Sequence, residues 1–169
     1  GGGDWSDNRL IPDCIKAWSK KKLLEIRSPK STRPWQHVLE AIYGYLVLAQ
    51  KLRVNKKLNG EVFNFGPNNR NNFSVKQLLE KLKKNGIKLK WLVKSEKNNL
   101  ESNLLKINSN KAKKLLSWEC ILSFNDTVNY LTNWYKNYYT KNNDMFKFTL
   151  AQIKEYEKNV IKCMNKKFL

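Results

Sequence analysis

Histidine and cysteine are almost absent from this chain, which has one His and three Cys among 169 residues. Cys14, Cys120 and Cys163 lie far apart with no CxxC pair, and His37 stands alone. Those spacings exclude the usual zinc sites and a disulfide framework, and they fit buried thiols in a reducing cytoplasm. No GxGxxG, GK[ST] or HExxH occurs, so neither a dinucleotide fingerprint, nor a phosphate loop, nor a zinc-protease helix is present. Apolar runs fall short of the ~18 residues that span a bilayer, and no basic-then-apolar leader opens the chain. A soluble protein without a membrane is expected. Acidic residues are scarce too: 14 face 33 Lys and Arg, a formal charge of +19.

Such a field attracts nucleic acid, anionic lipid or phosphorylated ligands. The cations are mostly Lys, spread over the whole chain beside much Asn and Ile. That dispersal suits a compositional bias better than a selected polyanion surface. Hydrophobic residues make up 41% of the chain and aromatics 12%, with six Trp. That content argues for a folding chain, since disordered segments have little to bury. The length suits one domain able to bury about two-thirds of its unfolded surface.

Apolar residues at helical spacing from Leu10 to Trp18 predict a helix over about 9–21, with Pro12 tolerated in the first turn. A short strand, Leu23 to Arg27, follows, then SPKSTRP as turn chemistry and WQHV as a short strand. LEAIYGYLVLAQKL is apolar on nearly all sides, which predicts a helix buried on more than one face. EVFNFGP reads as a strand stopped by Gly-Pro. Ser74 caps a helix striped by Val75, Leu78, Leu79 and Leu82. KLKWLV and LLKIN read as strands. Ser109 opens a brief helix, Ser123 caps a longer one, and a last amphipathic helix runs from about Thr149 to Met164. Alternating strands and helices without internal repeats predict an α/β arrangement in one unit.

Catalysis is not visible in these residues. His37 beside a probable strand fits a packed side chain better than a general base. Arg9 and Arg33 each follow a loop and precede an apolar element. There a guanidinium can grip phosphate through two parallel hydrogen bonds, or simply be solvated. Trp118, Trp134, Tyr135, Tyr138 and Tyr139 fall on helical positions where core packing is the expected role.

The order of the pieces is specific: GGGDWSDNRLIPDCIKAW, STRPWQHVLEAIYGYLVLAQKL, EVFNFGP, LESNLLKINSNKAKKLLSW, WYKNYY and DMFKFTLAQIKEYE. Together they resemble the C-terminal half of CDP-glucose 4,6-dehydratases, in the extended short-chain dehydrogenase/reductase family, over nearly all of residues 1–158. TRPWQHV with NFG fits many nucleotide-sugar epimerases and dehydratases; GGGDW, RLIPD and TLAQIKEYE narrow the match to the CDP-glucose branch. The resemblance implies the end of a Rossmann-like sheet plus a small mixed α/β substrate-binding region. It implies that Gly1–Gly3, which alone would pass for a tag linker, turn the chain from a strand into the substrate pocket. The whole chain, 1–169, is then expected to be the substrate-binding portion, without the NAD-binding Rossmann portion.

In similar enzymes Arg33 and Arg9 would address the diphosphate of a CDP-sugar, Leu24 and Ile26 would run along the base, Asp4 would lie on a loop facing the ligand, and His37 would be structural. Relatives carry a His before Glu101 and an acidic residue at position 108, where this chain has Leu100 and Asn108, which puts contacts from that loop in doubt. The family oxidises the sugar at C4 with NAD, removes water across C5 and C6, and returns the hydride to C6. The Tyr-xxx-Lys pair, its Ser/Thr and the cofactor fingerprint lie upstream of this stretch. The chain alone is therefore expected to bind no NAD, to hold no catalytic residue or metal, and to lack dehydratase activity. Its expected partners are a CDP-sugar and the missing N-terminal half, within a cytoplasmic homo-oligomer. Severed from that half, the helix around Ile42 to Leu48 would expose apolar surface. The competing class is a basic nucleic-acid-binding module.

Overall fold

The computed structural model describes residues 1–67, 72–94, 104–139 and 144–165. After an N-terminal turn come α1 (Leu10–Ser19), β1 (Leu23–Ile26), β2 (Thr32–Pro34), α2 (Val38–Val54) and a 3₁₀ turn (Lys56–Leu58). Then follow β3 (Asn72–Ser74), α3 (Val75–Lys84), β4 (Lys90–Val93), α4 (Asn110–Leu116), α5 (Phe124–Tyr139) and α6 (Met145–Asn165). β1 pairs parallel with β4, Leu23 opposite Lys90 and Ile26 opposite Val93. β2 pairs antiparallel with β3, with Arg33 opposite Phe73. This is a mixed α/β fold.

Local chemistry sets the helix starts. The Ser74 hydroxyl accepts from Gln77 N at 3.2 Å and the Gln77 side chain accepts from Ser74 N at 2.7 Å, a reciprocal capping box. Ser123 and Asp126 repeat the device at α5, at 3.0 and 3.1 Å. α6 begins earlier than its apolar spacing suggests because Asp144 Oδ1 accepts from both Phe146 N and Lys147 N at 3.1 Å.

The main core joins α1, β1, α3 and α5 through Cys14, Ile15, Leu24, Ile26, Leu78, Leu79, Leu82, Val128 and Tyr135. Trp118 and Leu116 anchor a second cluster against Tyr43, Val47 and Phe65. Gly44 is required there: a Cβ on it would lie 2.5 Å from Phe65 Cδ1, whose ring is wedged 5.0 Å from Trp118. Trp118 and Tyr135 are buried as expected, while Tyr138 and Tyr139 are exposed yet ring-packed on Trp5.

Four local expectations are corrected. SPKSTRP contains β2, because Thr32–Pro34 finds a ladder partner in Asn72–Ser74, some forty residues away in sequence. WQHV is no strand: Trp35 instead donates to Phe73 O at 2.7 Å, and His37 is the N-cap of α2. EVFNFGP carries no ladder, since no strand among the described residues runs beside it. Of LLKIN only Leu104 pairs, in a single bridge to Thr32.

The expectation for α2 also changes. Its Tyr43, Val47, Leu48 and Leu52 pack on the second cluster, but Val38, Ile42, Tyr45 and Leu46, at helical spacing, form an open stripe. Tyr45 is 62% and Leu46 65% exposed. One apolar face of the helix is filled; on the other, Tyr45 touches the Phe65 ring edge-on at 5.6 Å and the rest of the stripe is largely open.

Candidate functional site: a cavity at the end of the parallel strand pair

Directly beyond the C-terminal end of β1 the backbone leaves the β1–β4 pair and turns through Ser28 and Pro29 into β2. Lys76 N donates to Pro29 O at 2.9 Å and Val75 N to Ser31 O at 3.0 Å, so the turn is pinned to the start of α3. A cavity of about 510 Å³ opens between this turn and the start of α1. Ile26, Leu10, Val75 and Trp35 provide its apolar wall, while Asn8, Asp13, Glu25, Arg27, Ser28 and Arg33 provide the polar one. The end of a parallel strand is where open α/β sheets bind ligands, because chain leaving the strands there diverges and opens a crevice.

The charges in this wall are of both signs. Arg33 sits on β2, with Nη1 donating to Thr32 O at 2.9 Å, which holds the guanidinium close to the strand. Arg27 follows the last residue of β1. Glu25 is drawn outward, its Oε2 accepting from Lys94 Nζ at 3.2 Å across the strand pair. Asp13 lies in the first turn of α1. Burial pushes its carboxyl above the usual carboxylate range. A cavity with two guanidiniums, two carboxylates and a tryptophan suits a ligand with an anionic segment and a flat polar ring, such as a nucleotide.

Of the residues singled out from sequence, Ile26 and Arg33 line this cavity. Leu24 does not; it faces the core at 8% exposure, because strand alternation points it with Ile26 into α1 and α3. Arg9 is also outside the wall. Its guanidinium is 68% exposed and pairs with Asp4 at 3.7 Å. Asp4 borders a smaller recess with Gly1, Gln36 and His37, its Oδ1 accepting from Ser6 N at 3.0 Å. That hydrogen bond, ahead of the charge on Arg9, holds its carboxyl below the usual range. The structure thus brings Arg33 together with Arg27, not with Arg9. Arg27 was missed, although its place just past a strand was a usable signal. His37 is structural: 5% exposed, Nδ1 accepting from Leu39 N at 3.4 Å, and pushed down to about 3 by burial. Asn108 caps α4 through Asn110 N at 2.9 Å, whereas Leu100 and Glu101 lie outside the described residues.

Among the described residues no group of His, Cys, Asp and Glu could hold a metal, and no helix is long and apolar enough to cross a membrane.

This fold is that of the C-terminal part of sugar-nucleotide epimerases and dehydratases. UDP-glucuronic acid 4-epimerase from Bacillus cereus, solved with UDP-glucuronic acid and NAD, matches 78% of this chain and 41% of its own, at TM-score 0.66 and 22% identity. dTDP-glucose 4,6-dehydratase from Bacillus anthracis, solved with NAD, matches 76% and 39%, at TM-score 0.61 and 20% identity. At those identities the likeness is one of fold. In sequence, the CDP-glucose 4,6-dehydratase of Salmonella typhimurium is 34% identical over 157 residues. The chain is a relative of the sugar-nucleotide dehydratases and corresponds to their C-terminal part. The aligned stretch is 92% of this chain, and the chain spans 44% of that relative's length. No protein-family model matches the sequence.

Proposed function

We propose that residues 1–169 form the sugar-nucleotide-binding part of a CDP-glucose 4,6-dehydratase, a lyase of nucleotide-sugar metabolism that converts CDP-glucose to CDP-4-keto-6-deoxyglucose. The observation that carries this reading is the cavity holding Arg33 and Arg27 at the end of β1, in a chain 34% identical to such an enzyme. Two guanidinium forks match paired diphosphate oxygens, and charge-assisted bidentate bonds are the strongest available to a surface crevice. Trp35 and Ile26 offer apolar surface to a base or sugar. Asp4 and Arg9, joined as an ion pair, lie outside this cavity and are given no direct contact with the ligand.

NAD does not fit this set of residues. Among the described residues no glycine-rich turn joins a strand to a helix N-terminus, which is the cradle a dinucleotide pyrophosphate needs. No redox or elimination step is therefore drawn through this chain: its share is to hold the CDP-sugar, and it has no dehydratase activity alone. The open stripe of Val38, Ile42, Tyr45 and Leu46 is the face that the dinucleotide-binding part covers in the complete enzyme.

The test is titration calorimetry of the 169-residue chain with CDP. Arg33→Ala is expected to weaken binding at least about tenfold, and Arg33→Lys to recover only part of it, since a lysine keeps the charge but loses the fork. Arg9→Ala should stay within about twofold. Equal affinity for CDP and single-stranded DNA, both falling steeply with salt, would instead support a nucleic-acid module.

A further inference from the structure

The cavity contains a group that phosphate binding does not use. Asp13 reaches the wall from the first turn of α1; among the described residues no direct hydrogen bond or ion pair holds its carboxylate, which feels the charges of Lys16 and Asp7 only at longer range. Glu25, the other carboxylate there, is occupied by Lys94 at 3.2 Å. A free acceptor in a crevice that also carries two guanidiniums has no purpose toward a diphosphate, which it repels. It has one toward a ring edge that donates. Cytosine presents an exocyclic amine at C4, where uracil and thymine present a carbonyl oxygen. A carboxylate accepts from the amine and opposes the carbonyl lone pairs, so one side chain both attracts the right base and rejects the wrong one.

We propose that Asp13 is the base-reading residue of this site, its carboxylate accepting from the 4-amino group of a cytidine nucleotide whose diphosphate lies on Arg33 and Arg27. This rests on the sugar-nucleotide reading of the cavity. The first-turn position lets the carboxylate face the cavity from α1 while the guanidiniums face it from the β1–β2 turn, so the base and the phosphate ends of one ligand meet different walls. Burial raises the carboxyl above its ordinary range, and a donating amine would bring it back by favouring the ionised form.

Calorimetry with CDP and with UDP tests this, on the wild-type chain and on Asp13→Asn. Wild type is expected to prefer CDP by about tenfold or more. The Asn amide can turn to donate to a uracil oxygen as readily as it accepts from cytosine, so Asp13→Asn is expected to bring the two affinities within about threefold. An unchanged or improved UDP affinity shows that the variant is folded, and Asp13→Ala, weakening CDP while sparing UDP, provides a second check. A role limited to the dipole of α1 would lower stability slightly and leave the base preference intact. That result, or equal wild-type affinity for CDP and UDP, overturns the assignment of Asp13 while the cavity remains a nucleotide site. Binding of neither nucleotide by wild type overturns both.

Discussion

Replacing Glu40 by alanine should cost this protein more stability than any surface change, although nothing marks the residue in LEAIYGY. Glu40 is 0% exposed. Its Oε1 accepts from Ile121 N at 2.9 Å and Leu122 N at 2.6 Å, and its Oε2 accepts from Tyr156 Oη at 3.0 Å. One carboxylate thus ties α2 to the segment before α5 and to α6. Glu40→Ala strands two backbone donors and a phenol, each costing ~1–3 kcal/mol when buried, partly offset because a buried charge disappears. The expected net loss is about 3–5 kcal/mol, a large share of a typical 5–15 kcal/mol total. Glu40→Gln keeps a carbonyl for both N–H groups and turns its NH₂ to the tyrosine oxygen, so about 1 kcal/mol is expected. Urea unfolding followed by tryptophan fluorescence reads both.

The pH dependence separates the two states of this group. Burial outweighs the four donors, Leu122 N, Ile121 N, Tyr156 and the Cys120 thiol, and holds the Glu40 carboxyl above its ordinary 4.5. The folded chain therefore keeps a proton that the unfolded chain has already released, and stability falls as pH climbs through that window. Glu40→Gln lacks this slope, so its deficit against wild type should shrink as pH rises from about 4.5. A Glu40→Ala chain within 1 kcal/mol of wild type, roughly the contribution of one exposed hydrogen bond, would refute the reasoning.

His37 carries the opposite slope. It is held down at about 3 against 6.5 unfolded, so its contribution is present above pH 6.5 and is lost, at about 1.4 kcal/mol per unit, as pH falls toward 3. His37→Asn keeps an N-cap oxygen and should flatten the acid limb between pH 7 and 5; equal slopes in both chains would contradict this. On α2, Ile42→Glu with Leu46→Glu falls on the open stripe and should change stability by no more than about 0.5 kcal/mol while reducing self-association in sedimentation velocity. Unfolding of that double variant would show the stripe to be covered within the chain.

Some of this architecture is legible along the chain because its causes are local. Ser74 with Gln77 and Ser123 with Asp126 are spaced to bond each other's backbone, and each starts a helix there whatever it packs against. The apolar spacing of α1 and α3 likewise names their buried faces. Thr32–Pro34 looks like turn chemistry because its strand character comes from Asn72–Ser74, a partner no local window contains. EVFNFGP fails in the other direction, having the composition of a strand without a ladder beside it. The site divides in the same way. Arg33 was visible as an arginine between a loop and an apolar run, whereas the choice of Arg27 over Arg9 depends on which guanidinium the folded backbone leaves in the wall.

Sequence alone determined where the helices lie, the Ser74 and Ser123 caps and the kinship with sugar-nucleotide dehydratases, since periodicity, capping and shared motifs are written within a few residues of one another. Tertiary structure alone decided that Glu40 is a buried fastener, that α2 has one covered face and one largely open, and that Asp13 shares a cavity wall with two arginines. Those facts are distances between residues far apart in the chain, and only packing brings them to a value.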